Sequence, residues 1–498
     1  MEPHRQLIVL FCVGAYMAFS IAIGLWAIRR TKSANDFFVA GRSLGPLVVG
    51  MAVFSSTLSG FGFVGGPGLV YKTGLSSFWM VCVSSLGYAI AFFLVAKRIR
   101  LIAEVYDTVS LPDVLALRYN SETVRLLSGV TILLGVLGYL ATQILAMAFV
   151  LQSILAQTPM IGDIGLINCA IISLSVLVFY SYTGGIVASV YTDLVQGLVM
   201  MIAGVLVVFA AASVFDGGLT EASQVIFADD PETIMPFGAL GVAASLAWFF
   251  MFGVGLAGQP HIVTKFMMNR RVSDARLILP IALLGYAVSA MLWISIGVVM
   301  HAAVLRGLAP PLEAADQAAP AFLSLYASPL LAGVVFAGLF AAIMSTADAF
   351  LNIGAAALIH DIPKALGRPA PKNELSLARG ATVAIAIAAA GFAMYSHFLG
   401  GQLVAILGAF GWGMFAAALA PLIVIGLNWS RATRPAAVSA IAVSIVINLA
   451  VQFGAFSPPN AVAGGFIAML ASFIVFISVS LTTAPTPIEK SMRRLMEL

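Results

Sequence analysis

Charged residues are scarce in this chain, because Asp, Glu, Lys and Arg together make up 9% of its 498 residues. A soluble domain carries about 25% charged residues, since its exterior must face water. Hydrophobic residues make up 61% of the chain, and the mean hydropathy is +1.04. This composition excludes a soluble globular fold. It predicts a surface that faces lipid, where only helices and closed barrels satisfy the backbone.

Cysteine is also rare. Cys12, Cys82 and Cys169 lie in separate apolar segments without metal-ligand spacing, so we expect small buried residues and no disulfide framework. No His/Cys/Asp cluster and no nucleophile–base pair is apparent in the sequence, so we expect no catalytic residues and no enzyme. The net charge of +4 resides in short loops and does not predict nucleic acid as a partner.

The apolar runs are about 20 residues long and do not alternate, which predicts membrane-spanning α-helices and not barrel strands. We therefore expect an all-α integral membrane protein. Its thirteen predicted spans lie at residues 7–28, 47–70, 75–96, 126–156, 161–181, 188–214, 238–260, 278–304, 321–358, 380–397, 402–427, 435–453 and 459–482.

The basic residues orient these spans, because Lys and Arg concentrate in cytoplasmic loops. With the N-terminus outside and the C-terminus in the cytoplasm, all but three of the 25 Lys and Arg residues fall inside. The exceptions are Arg5, Lys72 and Arg306, whereas Lys265 counts among the cytoplasmic residues. The amphipathic stretch 101–119 fits a helix along the cytoplasmic surface or an ordinary solvated loop helix.

Two spans are interrupted by glycine and proline. The second contains residues 55–60 (SSTLSG) and 65–68 (GGPG), and the seventh contains residues 253–260 (GVGLAGQP). Freed backbone groups are tolerated in a membrane only when protein, ion or solute satisfies them. Secondary transporters use broken helices at corresponding positions of two inverted repeats to bind solute and cation; close packing through small residues is the alternative. We divide the chain into an extra helix (7–28), two repeats (47–214 and 238–427) and two C-terminal helices (435–482).

The ninth span carries a polar cluster in which Ser345, Asp348 and Asn352 share one helical face. Asp193 in the sixth span is the other intramembrane acid, and such acids are functional hypotheses by default. At 1.5 Å per residue, Ser55 and Ser345 lie roughly 14 and 16 Å from the cytoplasmic ends of their spans, near the middle of a core about 30 Å thick. Carbonyls of a broken helix and hydroxyls together suit an alkali cation. Hydroxyls bonded to their own helix are the alternative.

Four motifs occur in order along the chain. They are residues 40–46 (AGRSLGP), 65–68 (GGPG) with Tyr71 and Gly74, 182–185 (YTGG) leading to Thr192, Asp193 and Gln196, and 342–348 (AIMSTAD). In this combination the chain resembles the sodium/solute symporter family, which includes the proline, pantothenate and sugar sodium symporters. Residues 258–261 (GQPH) resemble the proline-type branch.

The resemblance implies a LeuT-like five-plus-five inverted-repeat fold, alternating access, and Na⁺ as the coupling ion. The main sodium site of the family corresponds to the backbone carbonyls of Ser55, Leu58 and Ala342 and the hydroxyls of Ser345 and Thr346. A second sodium site, present in some members, would use Asp193 with Ser345 and Asp348. Members with that site carry a hydroxyl where this chain has Ala349.

The resemblance also implies a solute site. Its residues would be Thr57, Ser59, Gly60, Phe63, Gln143, Phe252 and Leu256. Proline transporters carry Asp at the position of Thr57 and aromatic residues at those of Phe252 and Leu256. An apolar pocket with few charges suits a small monocarboxylate, an amino acid such as proline, or a pantothenate-like acid.

We therefore predict one transporter domain over residues 1–498 that performs sodium-coupled symport of a small organic solute. It is expected to act as a monomer in the bacterial inner membrane, with solute, Na⁺ and lipid as its partners. Proton symport through Asp193 and Asp348 is an alternative. A transporter-like membrane sensor is another, although the short segment after the last span disfavours an attached signalling domain.

Overall fold

The computed structural model is all-helical over the residues it describes, which are 3–155, 164–369, 371–398, 404–458 and 461–497. The predicted span limits at 156, 161–163, 402–403 and 459–460 lie outside these residues. The first half of the chain forms α1 (Pro3–Ile28), α2 (Ala34–Val39), α3 (Pro46–Thr57), α4 (Gly66–Thr73), α5 (Phe78–Ala91), α6 (Lys97–Tyr106), α7 (Leu111–Tyr119), α8 (Glu122–Leu155), α9 (Leu166–Ala212), α10 (Gly218–Asp229) and α11 (Pro231–Ile234).

The described part of the second half of the chain is also built from helices joined by turns and loops. It forms α12 (Gly241–Trp248), α13 (Pro260–Val263), α14 (Ala275–Leu305), α15 (Ala318–Tyr326), α16 (Pro329–Ala356), α17 (Ile362–Ala365), α18 (Glu374–Phe398), α19 (Val404–Ala420), α20 (Arg434–Gln452), α21 (Ala461–Thr482) and α22 (Lys490–Glu497).

Ten helical segments of the described chain are long and apolar enough to cross a membrane, and two shorter apolar helices, Pro46–Thr57 and Gly241–Val254, accompany them. Two of the ten, Gly62–Tyr106 and Leu166–Ala212, have 45 and 47 residues, which is about twice the length needed to cross a ~30 Å core. Each is divided at a glycine with positive φ, Gly74 at 61° and Gly185 at 53°. An added Cβ at Gly74 would lie 1.9 Å from the carbonyl oxygen of Thr233, so this division requires glycine.

Both predicted helix interruptions are confirmed. The helix α3 ends at Thr57, Leu58 is extended (φ −85°, ψ 99°), and a π-helical turn over Phe61–Gly65 leads into α4. The helix α12 continues as a π-helical turn over Phe249–Val254, and the chain leaves helical geometry at Gln259 (φ −75°, ψ 111°). The breaks therefore free backbone groups inside two apolar segments.

The helix α16 lies at the centre of the bundle. It packs against α1, α3, α8, α9 and α18. In an 18-residue apolar stretch of the segment Pro329–Ala365, 83% of the residues are buried within the protein. The corresponding share for the segment His4–Ile28 is 28%. The polar residues of α16 are therefore shielded from lipid, as intramembrane polar groups must be.

The second part of the stretch 101–119, the helix α7, differs from both alternatives that the sequence left open, whereas Glu104, Val105 and Asp107 before it are exposed. Every residue of α7 except Leu117 is buried, so this helix is part of the packed interior. Its fully buried Arg118 donates to the carbonyl oxygens of Gly426 (2.6 Å) and Trp429 (2.9 Å). These two bonds engage Nε and Nη2, whereas Nη1 has no hydrogen-bond partner among the described residues. The burial of α7 reflects packing against protein.

Candidate cation and solute site

The break after α3 meets the middle of α16 through oxygen atoms. The Ser345 hydroxyl lies 2.9 Å from the carbonyl oxygens of both Ser55 and Ala342. The Thr346 hydroxyl lies 3.1 Å from the carbonyl oxygen of Ser56 and 3.3 Å from that of Ala342. The hydroxyls therefore bond to their own helix and also across to the broken one. Counting residues along the two spans predicts that Ser55 and Ser345 lie at a similar depth in the membrane. In the structure the Ser345 hydroxyl contacts the Ser55 carbonyl oxygen.

These groups fit the chemistry of a sodium ion. The cluster consists of carbonyl and hydroxyl oxygens, which suit a hard alkali cation and not a soft metal. Four of the five predicted ligands, Ser55, Ala342, Ser345 and Thr346, contribute to it. Leu58 is the extended residue at the break, and the Ser56 carbonyl, which the sequence did not single out, is the further oxygen that meets α16.

A buried ion pair lies directly beside this cluster. The Lys265 ammonium is 2.7 Å from Oδ2 of Asp193 and 2.9 Å from the carbonyl oxygen of Ala52, and it also donates to the Ser56 hydroxyl. The two side chains are 1% and 0% exposed. The assignment of Lys265 to a cytoplasmic loop is therefore wrong, because the turn Thr264–Met268 after the second break packs into the bundle. The sequence feature that could have indicated a buried cation is Asp193, because a carboxylate buried in a membrane needs a cation as its partner.

The second intramembrane acid lies near this pair but has different partners. Oδ1 of Asp348 accepts a 2.8 Å hydrogen bond from Ser189, and the carboxylate interacts electrostatically with Asp193 and Lys265. Within the described chain, neither Oδ2 of Asp348 nor Oδ1 of Asp193 has a hydrogen-bond partner. The two acids predicted for a second sodium site thus lie near each other, and the Lys265 ammonium contacts one of them, Asp193.

A small aromatic cavity lies against the first break. It has a volume of about 20 Å³ and is lined by Thr57, Ser59, Gly62, Met80, Tyr139, Phe252, Tyr286, Trp293 and Trp412. Three of the predicted solute residues, Thr57, Ser59 and Phe252, line it. Among the described residues that line the cavity, none carries a formal charge. The lining therefore suits the apolar face of a solute, and the cavity must widen to admit one, because its present volume is about that of a single water site.

The other predicted solute residues support this cavity or lie apart from it. The Gln143 side-chain oxygen accepts a 2.8 Å hydrogen bond from the amide of Gly60 and thereby satisfies freed backbone. Phe63 is fully buried. Leu256 packs close to Gly87, where an added Cβ would lie 3.0 Å from it.

Apart from Phe252, the sequence did not single out the aromatic residues of this cavity. The Phe252 and Trp412 rings are 5.1 Å apart, and the Tyr139 hydroxyl lies 2.9 Å from that of Ser59. The Trp412 indole donates to the carbonyl oxygen of Met251 (3.0 Å), which fixes the ring. These aromatic residues come from separate spans without a local motif, and nothing distinguishes them in sequence from aromatic residues that face lipid.

A separate polar network joins α7 and α8 to the end of α16. Asp113, His360 and Asp361 place their potential ligand atoms within 4.8 Å of one another, so the expectation of no His/Asp cluster is wrong. Asp113 and His360 are 247 residues apart in the sequence, so no local spacing pattern could have predicted their contact. Asp113 also pairs with Arg125 and with Lys364 (3.0 Å). Burial opposes ionisation of Asp113, but the His360 hydrogen bond and the charges of His360, Arg125 and Lys364 outweigh it and hold its pKa below the usual range.

The family of this chain follows from a sequence comparison. Residues 37–444 match the model of the sodium:solute symporter family. The chain belongs to this family. Among similar relatives, the high-affinity proline transporter PutP of Bacillus subtilis is 28% identical over 484 residues, covering 94% of this chain and 96% of that protein. The osmoregulated proline transporter OpuE of the same species is 26% identical over 491 residues, covering 94% of each chain.

A solved structure has the same fold. A Na⁺-coupled sialic acid symporter, in a substrate-bound outward-open state, superposes with a TM-score of 0.77 at 20% identity, covering 97% of this chain and 99% of that one. This sodium:solute symporter thus has an all-helical transporter fold. Family and relatives are transporters, which implies that it is not an enzyme.

Proposed function

We propose that this chain performs sodium-coupled symport of a small organic solute into the cell by alternating access. The observation that supports this most directly is the contact between the broken α3 and the hydroxyls of α16. Na⁺ bound there would hold the two helices together. Because Thr57 and Ser59 follow Ser55 directly and line the cavity, sodium would also order the solute pocket. Coupling requires only that sodium favour the conformation that binds solute.

The ion gradient is sufficient for this role. A tenfold sodium gradient supplies about 1.4 kcal/mol, and a potential of 100 mV adds about 2.3 kcal/mol per charge. The sum of roughly 3.7 kcal/mol could sustain several-hundred-fold accumulation of a neutral solute per ion. The protein needs no covalent chemistry to use it.

The helices support a thirteen-span arrangement. Dividing Leu166–Ala212 at Gly185 and Gly62–Tyr106 at Gly74, joining Pro46–Thr57 to the segment after the first break, and adding Gly241–Val254 gives thirteen spans. They divide into an extra helix, two five-helix repeats that each begin with a broken span, and two C-terminal helices. We propose a monomer in the bacterial inner membrane with its N-terminus outside.

The solute that the lining of the cavity favours is an amino acid such as proline, ahead of a small monocarboxylate or a pantothenate-like acid. Aromatic faces such as those of Phe252 and Trp412 pack well against an apolar ring. Hydroxyls of Ser59 and Tyr139 could meet the polar end of the solute. The names of two relatives, both proline transporters, support the same choice.

Uptake into proteoliposomes would test the proposal. Radiolabelled proline is the first solute to use, followed by solutes that stabilise the purified protein against heat only in the presence of Na⁺. Uptake should follow an imposed sodium gradient and should be absent under a pH gradient in sodium-free buffer. Proton symport, which the unpartnered oxygen of Asp348 favours as the alternative, predicts the reverse.

A further inference from the structure

The bonding of Lys265 is complete. A lysine ammonium has three N–H donors, and this one has three acceptors, which are the Asp193 carboxylate, the Ala52 carbonyl and the Ser56 hydroxyl. The side chain is 1% exposed, so water does not compete for these acceptors. Carboxylate, carbonyl and hydroxyl oxygens are also the kinds of ligand that an alkali cation takes. The ammonium therefore occupies a cation site made of oxygen atoms.

A second Na⁺ beside Asp193 would have to use the oxygen atoms that Lys265 already engages. Asp193 and Lys265 form a buried pair in which one carboxylate faces one ammonium. A Na⁺ added beside this pair would put a second positive charge against the same carboxylate, which is costly in a membrane interior.

We propose that Lys265 serves as a built-in second cation, so that this symporter binds a single Na⁺ and has no second sodium site beside Asp193. The inference rests on the proposed sodium coupling. It also assigns a role to the ammonium that sodium cannot perform. Lys265 follows the second helix break and Ser56 lies in the first, so the ammonium ties the two broken spans together whether or not sodium is bound.

Removing the ammonium should create the missing site. In Lys265→Met, Asp193 would lose the cation that it pairs with, and removing one partner of a buried pair leaves an uncompensated charge. The oxygens of Asp193, Ser56 and Ala52 would then be free to bind a second Na⁺. The double variant Lys265→Met/Asp193→Asn removes the charge as well as the ammonium and should not gain the site.

The experiment counts bound sodium directly. Purified protein in detergent is equilibrated with radioactive Na⁺ at constant ionic strength, with K⁺ as the replacing ion, and bound ions per chain are measured to saturation. We expect one for the wild type, two for Lys265→Met, and one for both the double variant and Lys265→Arg. Thermal unfolding of each variant verifies that it is folded, and Lys265→Gln replaces the Met variant if the latter does not purify.

Other counts would overturn the inference. A wild-type count of two overturns it whatever the variants do, and leaves sodium coupling intact. A folded Lys265→Met or Lys265→Gln variant that still binds one ion also overturns it. A wild-type count of zero overturns the inference together with the proposed sodium coupling, so the two failures are distinguishable.

Discussion

Thr346→Ala is the substitution that examines the main cation site most directly. The wild-type hydroxyl lies 3.1 Å from the Ser56 carbonyl and 3.3 Å from that of Ala342, at the junction of α3 and α16. The substitution removes one of the oxygens available to Na⁺ and leaves the backbone carbonyls in place. It should therefore weaken sodium binding without abolishing it.

The expected magnitude follows from the kind of contact that is lost. An interaction between a polar group and a charged one contributes about 1.5–3 kcal/mol. At about 1.4 kcal/mol per factor of ten, the sodium concentration needed for half-maximal effect should rise about 10- to 150-fold. Loss of the hydrogen bond itself should lower the sodium-free stability by only about 1 kcal/mol.

The assay is thermal unfolding of the purified protein across a range of NaCl concentrations, with KCl holding the ionic strength constant. It requires no knowledge of the solute. Thr382→Ala is the matched control, because this buried hydroxyl bonds only within its own helix, to the carbonyl oxygen of Ala378 (3.0 Å). Thr346→Ser should behave nearly like the wild type. An unchanged sodium dependence in Thr346→Ala would refute the assignment of this site.

Three further predictions concern the cavity, its wall and the polar network. Trp412→Leu removes the ring that packs on Phe252 in the cavity wall. Aromatic pairs contribute about 0.5–1.5 kcal/mol beyond their buried area, so solute binding should weaken about 2- to 13-fold at about 1.4 kcal/mol per factor of ten; solute dependence of uptake measures this, and unchanged affinity would exclude Trp412 from the pocket. Gly66→Ala puts a Cβ 2.7 Å from the Trp293 ring and should cost about 1–3 kcal/mol of stability, whereas Gly14→Ala, with nothing within 4 Å, should not lower the melting temperature. Asp113→Asn removes the buried carboxylate that faces Arg125, His360 and Lys364 and leaves Arg125 with the more exposed Glu122; it should cost about 3–5 kcal/mol, with the exposed Asp107→Asn as control. Because the pKa of Asp113 is held low, its stabilisation is present above the ordinary pKa of about 3.9 and is lost as the pH falls through the lowered value, so the variant should lack this acid-induced loss in melting temperature.

The sequence predicted features that depend on local composition. Apolar runs mark helices, and Gly and Pro mark the breaks at Leu58 and Gln259, because these effects act within a few residues. The proximity of Ser55 and Ser345 followed from counting residues along two helices, which works because the helical rise is fixed. The roles of the solute residues stay predictions.

Features that depend on long-range packing were missed. In the sequence Lys265 resembles a basic loop residue, because Arg270 and Arg271 follow closely, and these two are exposed in the structure. The turn after the second break nevertheless carries Lys265 inward to Asp193. The Asp113–His360 contact joins segments with no shared pattern. Trp412 faces the cavity rather than lipid because of the orientation of α19, which an evenly apolar helix does not encode.

The π-helical turns have a consequence for comparing this chain with its relatives. Each of the turns at Phe61–Gly65 and Phe249–Val254 holds one residue more than an α-helical turn, and one residue corresponds to about 100° of rotation around the helix axis. A relative that lacks the extra residue would present the side chains beyond it on a different face. An alignment without a gap in these turns would therefore pair pocket residues such as Phe252 with residues that point in another direction. A single-residue gap should be placed in these turns before it is placed elsewhere.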